Sequence, residues 1–284
     1  MRHQNEYRDP ELACAQLQAI REAGKGLDRA VTLMEVCGTH TVSIFKSGIR
    51  SLLPETISLL SGPGCPVCVT AQSEIDAFIA LARTEGIIIA TFGDLMRVPG
   101  TGSSLQKQRA DGRDIRIVYS TMDAVDVARK NPDKKVVFLG GGFETTAPTI
   151  AAAVVTARRT GLDNFFVYSA HKLVPPALTA LMSLSGVNID GFILPGHVSV
   201  IIGLDGYRDF FETHRIPCVV AGFEPTDLLQ AIAMLVGASM TLVIAMLVEG
   251  VPAFSLTSWL LIAWLAVVNT ALTYTLWAQS QRSL

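Results

Sequence analysis

Four times in this sequence a short run of β-branched and apolar residues stops at a glycine-bearing turn, and a helical pattern follows. Val31–Val36 leads into Cys37-Gly38-Thr39-His40, and Gly86–Thr91 leads into Phe92-Gly93-Asp94. Lys135–Leu139 leads into Gly140-Gly141-Gly142, and Gly191–Leu194 leads into Pro195-Gly196-His197. Strands without polar alternation, separated by helices, predict an α/β fold with mainly parallel sheets. Functional residues in such folds gather at the carboxyl ends of strands, so the four turns mark the working edge.

A fainter signal predicts that the strands form two Rossmann-like α/β units. Val136–Glu144 is echoed by Cys218–Glu224, each a strand running into Gly-Phe-Glu and a helix start. The polar stretch Pro99–Arg116 reads as a connector.

Charge changes abruptly along the chain. Residues 228–284 carry only Glu249 and Arg282, although the whole chain has 23 Lys and Arg and 25 Asp and Glu. All three tryptophans lie in this tail, whereas all five cysteines and all five histidines precede it. Leu228–Val248 and Val251–Ser280 each reach the roughly 20 apolar residues that a membrane-crossing helix needs, with Glu249-Gly250 and Pro252 between them. They predict a C-terminal hydrophobic helical hairpin, associated with a membrane through residues 228–280. The domain division expected is an α/β region over 1–236, with two sub-domains, and a two-helix membrane-like tail over 237–284. The formal net charge of -2 excludes a nucleic-acid grip built on bulk positive charge. Met1–Pro10 lacks the apolar stretch of a secretory signal, so the α/β region is expected in the cytoplasm, anchored to the inner membrane by the hairpin. Its cysteines are then reduced, and a close pair reads as metal-binding or redox-active.

Cys65-Pro66-Val67-Cys68 follows Ser61-Gly62-Pro63-Gly64, which puts two thiols in a constrained turn at a helix start. The free N–H groups and dipole there favour thiolate, the form needed by a redox nucleophile or a metal ligand. Cys37 and His40 form a second close pair of metal-type ligands. Together the segments spell Cys-x2-His, 24 intervening residues and Cys-x2-Cys, which permits a four-ligand zinc site. The spacing equally permits a division in which Cys37 and His40 handle a transition metal while Cys65 and Cys68 cycle between dithiol and disulfide. Gly141 and Gly142, followed by Thr145 and Thr146 near a helix start, let the backbone approach a ligand and present N–H groups to an anion. The stretch is neither GxGxxG nor a P-loop, so it supports no nucleotide reading. Glu144 is a base or a partner contact, or it serves only the helix N-terminus. His197, and Asp94 with Arg97, are similar candidates, whereas Cys14 and Cys218 read as core residues.

These motifs in this order resemble those of the hydrogenase maturation family HypD. The likeness is carried by Cys37-Gly38-Thr39-His40, Gly62–Cys68, Phe92–Asp94 through Pro99-Gly100, Gly142–Pro148 and Pro195-Gly196-His197, and it covers about residues 8–236. The resemblance implies a maturation scaffold, not a conventional enzyme, on which the Fe(CN)2(CO) part of the NiFe hydrogenase cofactor is assembled. It implies Cys37 as an iron ligand together with a thiolate of HypC, and HypE as the cyanide donor. It further implies Cys65 and Cys68 as a redox dithiol, with His40 and Glu144 in motifs lining the assembly cleft. HypD proteins are longer and end in a domain whose four cysteines hold a 4Fe-4S cluster, but here no cysteine follows Cys218. The chain therefore reads as truncated before that domain and impaired by its loss. The tail, over about 240–284, resembles the last helices of an EamA-type drug/metabolite transporter, as in Ser258–Ala266 with Asn269-Thr270-Ala271. Two further readings compete: a membrane protein carrying a relic of the maturation factor, and a zinc- or dithiol-containing binding module.

Overall fold

The computed structural model describes residues 8–65 and 69–249, with side chains described as far as residue 237. The chain divides into two compact units, Met1–Ala238 and Ser239–Leu284. Within the second, residues 239–249 are helical.

The first unit is an α/β structure with two parallel four-stranded sheets. The strands are β1 (Val31–Glu35), β2 (Ile57–Ser61), β3 (Ile87–Thr91), β4 (Ile115–Ile117), β5 (Lys135–Gly140), β6 (Phe165–Ser169), β7 (Gly191–Pro195) and β8 (Cys218–Ala221). The first sheet has the order β2-β1-β7-β8 and the second β4-β3-β5-β6. The chain thus begins one sheet, builds the whole of the other, and returns to finish the first.

Both sheets have the same internal order. The strand laid down first, β1 or β3, is followed by a neighbour on one side, and the two later strands add on the other. The direction of growth therefore reverses between β1 and β7 and again between β3 and β5. Parallel sheets open a crevice at such reversals, outside the carboxyl ends of the strands. All four glycine turns lie at these two places. The sequence echo misleads on one point, because it matches β5 with β8, whereas by position in the sheet the counterpart of β5 is β7.

Helices cover both faces, which is why the strands are apolar throughout rather than alternating. On one face of the first sheet, Leu33 packs with Ile20, Ile44, Leu228, Ile232 and Val236. On the other, Met34, Val36, Phe192 and Leu194 pack with Leu178, Tyr207 and Phe210. Each large side chain buried this way contributes about 1.5–3 kcal/mol. Helix starts follow from local chemistry: the Asp9 carboxylate accepts the N–H groups of Glu11 and Leu12, and Ser120 and Asp123 form a reciprocal capping box.

Two expectations are corrected. The supposed connector Pro99–Arg116 contains the helix Leu105–Ala110, opened by Ser104, and runs into β4. The run Leu228–Val248 is not a membrane span over its whole length. It belongs to the helix Pro225–Glu249, whose Leu228, Ile232 and Val236 are buried against the first sheet. A core helix and a membrane helix both dispense with charge, so hydropathy alone does not separate them. Among the described residues no helix is long and apolar enough to cross a membrane. The second span, Val251–Ser280, and all but the first residues of the transporter-like segment lie outside the described residues.

Candidate functional site

β1 ends in Glu35, and Cys37 stands as the N-cap of the helix Gly38–Ser47. Its thiol is 5% exposed, and no side chain caps the helix there. The segment carrying Cys65 crosses directly over this turn. A Cβ placed on Gly64 would stand 2.7 Å from the Gly38 nitrogen and 2.8 Å from the Cys37 carbonyl carbon, so only glycine allows the two backbones to touch. Cys65 is half-buried and its carbonyl accepts the Val69 N–H at 3.2 Å. Cys68 lies outside the described residues.

His40 is fully buried. Its ring nitrogen Nε2 lies 2.9 Å from the Gly222 carbonyl oxygen, which can only accept, so Nε2 carries the hydrogen. In the neutral ring Nδ1 is then a free lone pair, and it is buried without a partner. Burial lowers the His40 pKa, opposed by the Gly222 and Ala221 carbonyls and reinforced by His197, which favours the neutral ring. The Phe223 ring lies 4.8 Å from the ring of His40 and 5.0 Å from that of the exposed His197. Ser43, one turn beyond His40, donates to the Phe223 carbonyl at 2.6 Å. The turns after β1, β7 and β8 therefore meet at His40.

The turn after β5 reaches the same region from the second sheet. Gly142 has φ 144°, a conformation open to glycine alone, and Thr146 fills the space its side chain would take. Thr146 donates its hydroxyl to the Phe143 carbonyl at 3.1 Å, while the half-buried Thr145 is the neighbour that follows Glu144. Phe143 packs with Met34, Val36 and Val198 of the first sheet's core. Glu144 is 5% exposed, its Oε1 accepts the Val174 N–H at 2.7 Å, and its Oε2 is buried without a partner. Although His197 is exposed, partial desolvation by its neighbours lowers its pKa, and the negative charge of Glu144 opposes that shift. Gly141 faces Thr70, two residues beyond Cys68. Asp94 accepts the Leu95 N–H and starts the short helix Leu95–Arg97 after β3, so its carboxylate is occupied locally.

Cys37, His40, Glu144, His197 and the Cys65 segment thus converge on one edge of the first unit. Among the described residues, however, no group of three or more His, Cys, Asp or Glu is arranged to hold a metal ion. His40 turns toward Gly222 and Phe223, so the described members of the Cys-His-Cys-Cys pattern do not assemble a zinc cage. Cys218 is half-buried and packs against the core of the first sheet rather than within it, with burial pushing its thiol up to about 12. Cys14 is exposed, contrary to the core reading.

Two groups at this edge carried no motif signal. Glu35 is wholly buried at the end of β1. His171, after β6, holds the Ser169 hydroxyl at Nδ1 (2.9 Å) and has a buried, unpartnered Nε2 beside Gly140.

A sequence profile for HypD, described as the Hydrogenase formation hypA family, matches residues 11–245. The chain belongs to the HypD family. It is 46% identical over 240 residues to the hydrogenase maturation factor HypD of Escherichia coli K12, covering 83% of this chain and 64% of that protein. It is 47% identical over 238 residues to the HypD of Rhodobacter capsulatus, covering 82% and 63%. Against the HypD of Rhizobium leguminosarum bv. viciae it is 47% identical over 246 residues, covering 83% and 63%. The match thus spans a little under two thirds of the length of these relatives. The HypD profile runs past residue 236, where the sequence likeness was expected to end, and takes in most of the run read as a first membrane span.

Proposed function

We propose that this HypD-family chain is a scaffold in NiFe hydrogenase maturation, on which the Fe(CN)2(CO) unit is held as cargo while its ligands are added. The observation that supports the reading is the contact of Gly64 with the Cys37 turn, which sets the Cys65 segment against Cys37 at a sheet reversal. Cys37 at a helix N-cap offers sulfur, a soft donor suited to iron. In this reading a HypC thiolate completes the grip on iron, HypE delivers cyanide, and Cys65 with Cys68 supplies electrons as a dithiol. The buried lone pair of His40 and the unpartnered Glu144 oxygen hold or move protons at that edge, and Gly141, Gly142, Thr145, Thr146 and His197 frame the space where the cyanide and carbonyl ligands lie.

Partner docking has support on the same helix. Val42 and Phe45, three residues apart, are 51% and 85% exposed and give the helix Gly38–Ser47 an apolar outer face. The 4Fe-4S cluster of the family does not fit the thiols here. Cys37, Cys65 and Cys68 belong to the assembly turns, Cys14 is exposed, and Cys218 is half-buried with its thiol pushed up to about 12. No step is assigned to that cluster. Val251–Ser280 is proposed as a membrane contact, and full solubility of the chain without detergent would remove it from the account.

The test is coproduction with HypC and HypE. The purified complex retains iron, and Cys37→Ala loses it. Equal iron in both overturns the scaffold reading.

A further inference from the structure

The two cysteine segments are tied together by a side chain outside every motif. Glu35 is the last residue of β1, and its carboxylate is wholly buried. Oε1 accepts the Ser61 hydroxyl at 2.9 Å and lies 3.4 Å from the Thr41 hydroxyl, whose one hydrogen it shares with the Cys37 carbonyl at the same distance, and Arg50 Nη2 lies 3.8 Å from the same oxygen. The main-chain carbonyl of Glu35 accepts the Gly62 N–H at 2.9 Å. Thr41 lies on the helix that Cys37 opens, and Ser61 and Gly62 begin the segment that leads to Cys65. Arg50, on the short helix Ile49–Leu52, also donates to the Leu59 carbonyl at 3.0 Å, so it braces β2 as well. Oε2 is buried and has no partner.

A buried carboxylate with two hydroxyl donors and one distant, exposed guanidinium is a poor source of stability. An apolar side chain of similar volume would pack there at lower cost. What the carboxylate supplies is direction. It accepts at once from the Cys37 helix and from the strand end that feeds the Cys65 segment, immediately before the point where Gly64 crosses Cys37.

We propose that Glu35 is the positioning residue of the cysteine site, fixing the Cys37 turn against the Ser61–Cys65 segment so that both thiols share one edge. The proposal rests on reading Cys37 and Cys65 as working thiols. Its test reads the thiols directly, without iron or a hydrogenase, so either can fail alone.

The experiment is site-resolved alkylation of the full chain by iodoacetamide, followed by mass spectrometry. Exposed Cys14 reports reagent activity, and half-buried Cys218, whose thiol is pushed up to about 12, reports general loosening. Glu35→Ala raises alkylation of Cys37 about tenfold relative to Cys14, through local opening, with Cys218 unchanged. Glu35→Gln, which keeps the volume and an oxygen for the Ser61 hydroxyl, stays within about twofold of the parent chain. Ser61→Ala, at an exposed position, removes the tie from the other side and gives a smaller rise of the same selectivity should Glu35→Ala not fold. A parallel rise at Cys37 and Cys218, no rise at Cys37 in folded variants, or no rescue by Glu35→Gln each overturns the proposal.

Discussion

The backbones of Gly64 and Cys37 touch, and the contact leaves no room for a side chain on Gly64. Everything proposed for the thiols depends on this crossing. Gly64→Ala forces the backbones apart at a cost of about 1–3 kcal/mol, the usual range for overpacking. Urea unfolding reads the loss of stability, and iron retention falls with it. An alanine variant of parental stability that still binds iron would mean the two segments need not touch.

Glu144 separates structure from chemistry. Glu144→Ala leaves the buried Val174 N–H without an acceptor and costs about 1–3 kcal/mol. Glu144→Gln keeps that acceptor and so keeps most of the stability. If the carboxylate serves the chemistry, the glutamine variant unfolds at nearly the parental urea concentration yet loads little iron. Parental loading by the glutamine variant would reduce Glu144 to a purely structural contact.

How much of this was legible in the sequence depends on the range of the interaction involved. The four glycine turns were legible because an apolar strand and the glycine that ends it are neighbours in the chain. The partner of His40 was not, since the Gly222 carbonyl lies 182 residues away. Nor was Glu35, because an acidic residue at a strand end looks solvent-facing until the fold covers it. The echo between β5 and β8 failed since the first sheet is interrupted by the whole of the second, which no local pattern records. Leu228–Val236 read as membrane because burial in a core and burial in lipid leave the same uncharged trace.

Acid weakens the first unit through His171 as well as through carboxylates. Burial lowers the His171 pKa, so on acidification the unfolded chain takes up the proton first. Stability is full above the ordinary histidine pKa of about 6.5 and falls as pH drops through the lower folded value. His171→Gln removes this part of the slope, and urea midpoints measured across that window show it. An unchanged slope would mean that the ring is not buried in its neutral form.

Phe45→Ala weakens capture of HypC by the proposed apolar face of the helix Gly38–Ser47. At 85% exposure the ring contributes little to the fold, so thermal stability stays within about 0.5 kcal/mol of the parent. Loss of co-purification by about tenfold or more is expected if the ring is a central contact. Undiminished co-purification would place the partner on another face.

The most direct measurement of the central claim is an infrared spectrum of the chain co-purified with HypC and HypE. The account predicts cyanide and carbonyl stretching bands of an iron unit in the parent complex and their absence in Cys37→Ser. Bands of equal strength in both, or none in a parent complex that retains iron, would contradict it.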